Sequence, residues 1–258
     1  VTVPVNQIIC GDNVDTLRTL PDACIDLTVT SPPYDNLRTY GGHSWDFEGV
    51  AQQLWRVTKP GGVVVWVVND ATVDGSETGT SFRQALRFME IGFRLHDTMI
   101  YERLNPPPLN HGRYEQAFEF VFVISRGKPN TWNAIKVKAA SAGKLRGGTM
   151  RNGGRDDLQP KHTLGHVPAE CVPGNVWGYY VNQESDSTGK HPAIFPEALA
   201  RDHILSWSNE GDLVLDPFSG SGTTAKMAKL MGRQYLGIEI NPEYCEIARE
   251  RLRQGVLF

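Results

Sequence analysis

Two stretches far apart in the chain carry residues whose types and spacing could do chemistry. Leu213-Val-Leu-Asp-Pro-Phe-Ser-Gly-Ser-Gly-Thr-Thr224 reads as a strand, a glycine turn and the start of a helix. Gly220 and Gly222 would let the backbone approach a ligand closely, and the helix start beyond them offers N–H groups that lack an intrahelical partner. Glu239 ends the following strand, 19 residues after Gly220, where a carboxylate accepts hydrogen bonds from ribose hydroxyls. A glycine turn alone can be no more than a tight strand-to-helix connection; with an acidic strand end at this distance it reads as a nucleoside site. The second stretch, Ser31-Pro32-Pro33-Tyr34, follows an apolar strand. It offers a hydroxyl, a carbonyl fixed by the proline rings and an aromatic face, although in isolation it would also serve as a rigid turn.

The glycine spacing also suits a dinucleotide. Asp216, just ahead of the glycines, argues against one, because a carboxylate repels a pyrophosphate and attracts an ammonium. The 258-residue sequence also leaves no room after Glu239 for a second nucleotide-binding half. The strand missing from this half can come from Gln7–Cys10, which ends in Gly11-Asp12. Asp12 would then stand at the carboxyl edge beside Glu239, within reach of an adenine amino group. The expectation is a Rossmann-like doubly wound α/β sheet, mostly parallel and circularly permuted, with Ser31–Tyr34 in the first half and the nucleoside site in the second.

The elements that must hold these residues follow from the apolar patterning. Strands are expected at Gln7–Cys10, Cys24–Thr30, Val63–Val68, Leu95–Tyr101, Phe118–Ile124, Val176-Trp177, Asp212–Leu215 and Tyr235–Ile240. Helices are expected at Val14–Leu20, Phe47–Val57, Ser81–Met89, Pro196 to about Ser206, Thr223–Met231 and Pro242–Arg253. The alternation of the two favours a parallel sheet. From about residue 126 to 172 the periodicity is lost and Gly, Lys, Arg, Asn and Pro dominate, so 131–172 reads as an insertion within a single catalytic domain spanning 1–258.

Net charge is −3, with 26 Lys and Arg against 29 Asp and Glu, which excludes blanket polyanion binding but not a local basic surface. Lys136, Lys138, Lys144, Arg146, Arg151, Arg155 and Lys161 supply one, opposed only by Asp156 and Asp157. The four cysteines are scattered without a Cys-x-x-Cys pair, and His162 and His166 have no ligand partners at metal spacing, so no metal site and no disulfide framework are expected. The N-terminal Val-Thr-Val-Pro-Val has no signal-peptide character, and no apolar run approaches the roughly 20 residues of a membrane span. An intracellular protein, cytoplasmic or nucleoid-associated, is the expectation.

Together these motifs resemble the β class of S-adenosylmethionine-dependent DNA amino-methyltransferases, in which a Ser-Pro-Pro-Tyr type motif precedes the cofactor motif. The resemblance spans most of the chain. It includes Lys59-Pro60-Gly61-Gly62, the run His191-Pro192-Ala-Ile-Phe195-Pro196-Glu197 and, less closely, Gly174-Asn-Val-Trp177. It implies S-adenosyl-L-methionine held by Asp12, Asp216, Phe218, Ser219, Gly220, Gly222, Thr223 and Glu239, with Ser31, Pro32, Pro33 and Tyr34 catalytic. It also implies double-stranded DNA as substrate, contacted through Arg38, Lys144, Arg146 and Arg151, with 131–172 as the target-recognition region. Arg38, Tyr40 and Gly41-Gly42 would form a loop over base and cofactor or a plain solvated loop, and His191 a cofactor-edge contact or a helix-approach residue. A homodimer and a cognate restriction endonuclease are compatible partners.

An exocyclic amine is a poor nucleophile because its lone pair is delocalised into the ring. The Ser31 hydroxyl and Pro32 carbonyl would accept its hydrogens and localise that pair, while Tyr34 stacks on a base flipped out of the duplex. Serine at the first motif position resembles enzymes that make N4-methylcytosine; Asp or Asn there is commoner in adenine-N6 enzymes, which stay the alternative. Cytosine C5 chemistry needs a Pro-Cys nucleophile that this chain lacks. Glutamine-amide methyltransferases carry Asn-Pro-Pro-Tyr after the cofactor motif, the reverse order. A non-catalytic DNA-binding subunit should show a degraded motif, and both motifs are intact.

Overall fold

A strand in which every residue is apolar must be covered on both faces, and the chain supplies helices for each. The computed structural model describes residues 2–34, 45–106, 113–144, 166–180 and 195–254. In chain order these begin with β1 (Gln7–Cys10), α1 (Asn13–Thr19), β2 (Ile25–Thr30), α2 (Phe47–Val57) and β3 (Thr58–Val68). A small hairpin of β4 (Thr72–Val73) and β5 (Ser76–Glu77) leads to α3 (Thr80–Ile91), β6 (Arg94–Arg103) and β7 (Phe118–Ser125). After β8 (Val137–Lys138), β9 (Glu170–Cys171) and β10 (Val176–Tyr179) come α4 (Glu197–Trp207), β11 (Leu213–Asp216), α5 (Thr223–Leu230), β12 (Gln234–Glu239) and α6 (Pro242–Arg253).

Eight strands form one sheet in the order β1-β12-β11-β2-β3-β7-β6-β10, and only β7 runs against its neighbours. Two cores lie on its two faces. Leu27, Val29, Val63, Val65, Val67, Val121 and Val123 pack with α4, α5 and α6. Their alternates Ile25, Val64, Trp66, Val68, Phe122 and Ile124 pack with α1, α2 and α3. This period-2 division of a continuous apolar run is what a sheet buried on both faces requires.

Strand order reverses direction between β11 and β2. From β11 the chain moves by α5 to β12, whereas from β2 it moves by α2 to β3 on the other side. Ligands of open α/β sheets bind at the carboxyl ends of strands flanking such a switch. β11 ends at Asp216 and β2 runs into Ser31, so both motifs lie at that point. β1 pairs in parallel with β12, Cys10 opposite Glu239, which is the permuted closure expected from the sequence.

The residues fall into two compact units, 1–133 with 175–258, and Ala134–Gly174. Residues 126–133 belong to the first. Arg126 donates to the Thr58 carbonyl (2.7 Å), lies 4.9 Å above the Trp55 ring and exchanges backbone bonds with Gly61 and Gly62. In the second unit, β8 and β9 form an antiparallel ladder that continues through Ala139–Ala169 and Lys144–Val167 backbone bonds. Lys136, Lys138 and Lys144 are exposed on it. The expected residues Arg38, Tyr40, Gly41, Gly42, Arg146, Arg151, Arg155, Asp156, Asp157, Lys161, His162, His191 and Pro192 lie outside the described residues.

Candidate active site

Ser31 and Asp216 are brought to one place by a buried side-chain bond. Thr30 Oγ1, at the end of β2, donates to Asp216 Oδ1 at 2.7 Å across 186 residues of sequence. Thr224 Oγ1, in the first turn of α5, donates to the Val29 carbonyl at 3.2 Å. Two threonines, one just ahead of the tetrapeptide and one at the end of the glycine motif, thus lock the glycine turn to the strand that leads into Ser31.

On the nucleoside side, Gly220 and Gly222 adopt φ of +51° and +81°, the left-handed region that glycine enters at no steric cost. Gly222 also meets α6: a Cβ there would come 2.9 Å from the Ala248 Cβ. The Gly220 N–H donates to Glu239 Oε2 and the Asn241 N–H to Oε1, both at 2.8 Å, so the carboxylate is fixed in orientation and still has lone pairs to offer a diol. Asp216 is fully buried, and burial pushes its carboxyl up to about 6 against the hydrogen bonds from Thr30 and the Phe218 N–H. A cationic ligand group beside it would favour the ionised form. Asp12 follows the end of β1, exposed, and its Oδ1 caps α1 by accepting the Asp15 N–H at 2.9 Å.

Ser219 is buried with a hydroxyl that has no hydrogen-bond partner among the described residues. Gly237 makes room for it, since a Cβ at Gly237 would come 2.5 Å from Ser219 Oγ. Phe218 lays its ring against Trp45 (4.9 Å) and Trp66 (6.2 Å), joining the turn to the start of α2. Thr223 is buried at the first turn of α5, in reach of the Arg251 guanidinium (3.3 Å). An oriented carboxylate, an unanswered buried hydroxyl, positive-φ glycines and a second carboxylate that a cation would stabilise suit a ligand combining a ribose with a positive charge.

On the other side, Pro32 is buried and Ser31, Pro33 and Tyr34 are half-buried at the rim. Ser31 Oγ lies 2.8 Å from the Tyr34 hydroxyl, which donates to Glu119 Oε2 at 2.8 Å. Glu119 opens β7, and the Arg103 guanidinium of β6 stands 3.8 Å from its other oxygen. Asp70, just past β3, turns away from this cluster. It accepts the Ser81 N–H (2.8 Å) and hydroxyl (2.6 Å), fixing the start of α3.

Several contributors were not picked out from the sequence. Arg251, buried in α6, donates to the Ser221 carbonyl (2.7 Å) and to Glu197 (2.8 Å), which also receives Lys226 (2.9 Å). This brace holds the glycine turn between α4 and α6. An arginine in register with buried Cys245 and Ala248 on an amphipathic helix was the available signal. Glu119 and Gly237 had none, because each is defined by a partner elsewhere in the sequence, Tyr34 for the one and Ser219 for the other.

Comparison with known proteins agrees with this arrangement. A family profile described as DNA methylase, covering N6 and N4 methyltransferases, matches residues 25–250. The orphan methyltransferase M.BamHII of Bacillus amyloliquefaciens is 53% identical over 244 residues, 92% of this chain and 91% of that protein. The solved PvuII DNA methyltransferase (cytosine-N4-specific) superposes with a TM-score of 0.72 at 21% identity, covering 100% of this chain and 89% of that one. A Thermus thermophilus protein described as a putative DNA modification methylase, solved with S-adenosyl-L-methionine, gives 0.63 at 26% identity over 95% of this chain and 94% of that one. Among the described residues no helix is long and apolar enough to cross a membrane, and no group of acidic, histidine or cysteine residues is placed to hold a metal. The chain belongs to the DNA methylase family of N4-cytosine and N6-adenine enzymes, as an S-adenosylmethionine-dependent DNA amino-methyltransferase.

Proposed function

We propose that the protein methylates the exocyclic N4 amine of a cytosine turned out of duplex DNA. The observation that carries this reading is the 2.7 Å bond between Thr30 and Asp216, which sets a hydroxyl-headed tetrapeptide beside the cofactor turn. Bound S-adenosylmethionine supplies an electrophilic methyl group on a sulfonium. Glu239 would accept from its ribose, Asp216 would face its positive charge, and Gly220, Gly222, Phe218, Ser219 and Thr223 would line its seat. Asp12, from β1, would reach the adenine edge through the oxygen not used to cap α1.

The chain's own groups act on the base. Ser31 Oγ and the Pro32 carbonyl accept the two amino hydrogens, drawing the nitrogen lone pair out of conjugation and toward the methyl group. Pro33 stiffens the turn so that the carbonyl stays aimed, and the Tyr34 ring packs on the face of the extruded base. Serine supplies a neutral acceptor, which favours cytosine; adenine N6 is the alternative product. Residues 131–172, most of which fall in the Ala134–Gly174 unit, are read as the target-recognition insertion. Lys136, Lys138 and Lys144, with Arg38, Arg146 and Arg151, would contact phosphates. A cognate restriction endonuclease and a homodimeric state belong to the same reading; co-purification and sedimentation test them.

Incubating the purified protein with unmethylated genomic DNA and labelled cofactor, followed by nucleoside mass spectrometry, tests the reading. N4-methylcytosine is expected. N6-methyladenine would transfer the assignment to the alternative, and cofactor binding without transfer to any DNA would point to a non-catalytic subunit.

A further inference from the structure

The bonds that link Ser31, Tyr34 and Glu119 have only one consistent direction when Glu119 is ionised. An ionised carboxylate can only accept, so the single phenol hydrogen of Tyr34 goes to Glu119. The Tyr34 oxygen must then accept from Ser31, which spends the single serine hydrogen. Ser31 Oγ is left with lone pairs alone. That is the state in which it can receive an amino hydrogen. A serine free to rotate would present its own hydrogen to the amine part of the time. Two buried carboxylates nearby are engaged elsewhere, Asp70 by Ser81 and Asp216 by Thr30.

We propose that Glu119 is a positioning residue that sets the hydrogen direction through Tyr34 and Ser31, and that it receives the proton released by methyl transfer along the same path. The proposal rests on the reading of Ser31 as the amine acceptor. In the transfer step the amine nitrogen bonds the methyl group as the methyl–sulfur bond breaks, leaving a neutral thioether, and the nitrogen becomes an ammonium. Its N–H bond breaks as the proton bonds to Ser31 Oγ, the Ser31 proton passes to the Tyr34 oxygen and the Tyr34 proton to Glu119 Oε2. Nitrogen loses one positive charge and Glu119 one negative charge, and no other reactant is needed. Neither 2.8 Å link requires movement of heavy atoms. Among the described residues, the ionisable groups facing Glu119 include Arg103 and Tyr101 from β6 and Tyr34 from the tetrapeptide.

Single-turnover methylation across pH, with cofactor and DNA affinities measured separately, tests this in the full chain. Glu119→Gln keeps a carbonyl acceptor for Tyr34 but cannot take a proton. The rate constant should fall about 100-fold. Its decline at acid pH should disappear, with both affinities unchanged. Glu119→Asp should recover part of the rate. Tyr34→Phe combined with Glu119→Gln should be no slower than Tyr34→Phe alone, since one path is cut twice. In the ligand-free protein carrying carbon-13 tyrosine, the Tyr34 Cζ resonance should titrate with Glu119 and cease to do so in Glu119→Gln. An active wild type with an unchanged rate and profile in Glu119→Gln overturns the relay and leaves the site reading intact. A Ser31→Ala protein as active as wild type overturns the reading beneath it, and the relay with it.

Discussion

Around the glycine turn, polar groups are buried and, Ser219 apart, answered from inside the chain, whereas around the tetrapeptide they sit at the rim and answer one another. Asp216 is met by Thr30, Glu239 by two backbone N–H groups, and the turn by Arg251, whose side chain is 7% exposed. Ser31, Tyr34 and Glu119 form a half-buried chain of side-chain bonds, of which only the Tyr34 ring packs against the edge of a core. The contrast predicts that substitutions at the glycine turn cost both binding and stability, while those at the tetrapeptide cost rate more than fold.

The hardest test of that division is Arg251→Ala, which leaves Glu197 with only Lys226 and strips the Ser221 carbonyl of its donor. Breaking a buried pair in this way costs about 4 kcal/mol. Denaturant unfolding should show that loss together with weaker cofactor binding. Ser31→Ala should show the converse: single-turnover transfer down by on the order of 10² to 10³, with cofactor affinity and unfolding midpoint kept. A Ser31→Ala protein that also unfolds early would break the comparison.

Asp216→Asn sharpens it through pH. Burial raises the Asp216 carboxyl from 3.8 to about 6, so the native state holds its proton more tightly than the unfolded chain. The stabilisation is therefore complete below pH 3.8 and is lost as pH rises through about 6. Asparagine has no such dependence. The ligand-free variant should gain on wild type between acid and neutral pH by up to roughly 3 kcal/mol, read from unfolding at the two pH values, while binding cofactor less well. Gly222→Ala puts a side chain at φ +81° and 2.9 Å from Ala248, with an expected loss of about 2 kcal/mol and parallel loss of cofactor binding. Smallest is the effect of replacing Lys136, Lys138 and Lys144 by alanine. The slope of DNA affinity against salt should shrink by about one per lysine, with the catalytic rate at saturating DNA unchanged.

How much of this was legible depended on whether the determinant was local. Phe47–Val57 and Pro242–Arg253 have the bounds expected from sequence, because Asp46 and Asn241 accept first-turn N–H groups and Pro242 fixes the first turn. The permuted strand order followed from Glu239 and the Gly11-Asp12 strand end, both readable as patterns. Strand β3 begins at Thr58 rather than Val63, because Thr58 pairs with Ile25 across a bulge that no local signal marks. The hairpin β4–β5 and the ladder β8–β9 were missed, each strand being two residues long. Glu119 was invisible for another reason: its partner lies 85 residues away, and a single charged residue has no periodicity to betray it; Glu197 ends a run that carries the resemblance, but its pairing with Arg251, 54 residues on, had no local signal.

The order in which strands pair has a consequence for how the protein is made. Leu27 waits for Val214, and Gln7 for Leu236, before either seam can close. At roughly 5–20 residues per second a ribosome takes on the order of 10–40 seconds to supply the missing partners. Until then the growing polypeptide presents β2, a strand that is almost wholly buried in the finished fold, as an open edge to its neighbours on the polysome. Biosynthesis should therefore be the stage at which this molecule most needs protection from aggregation.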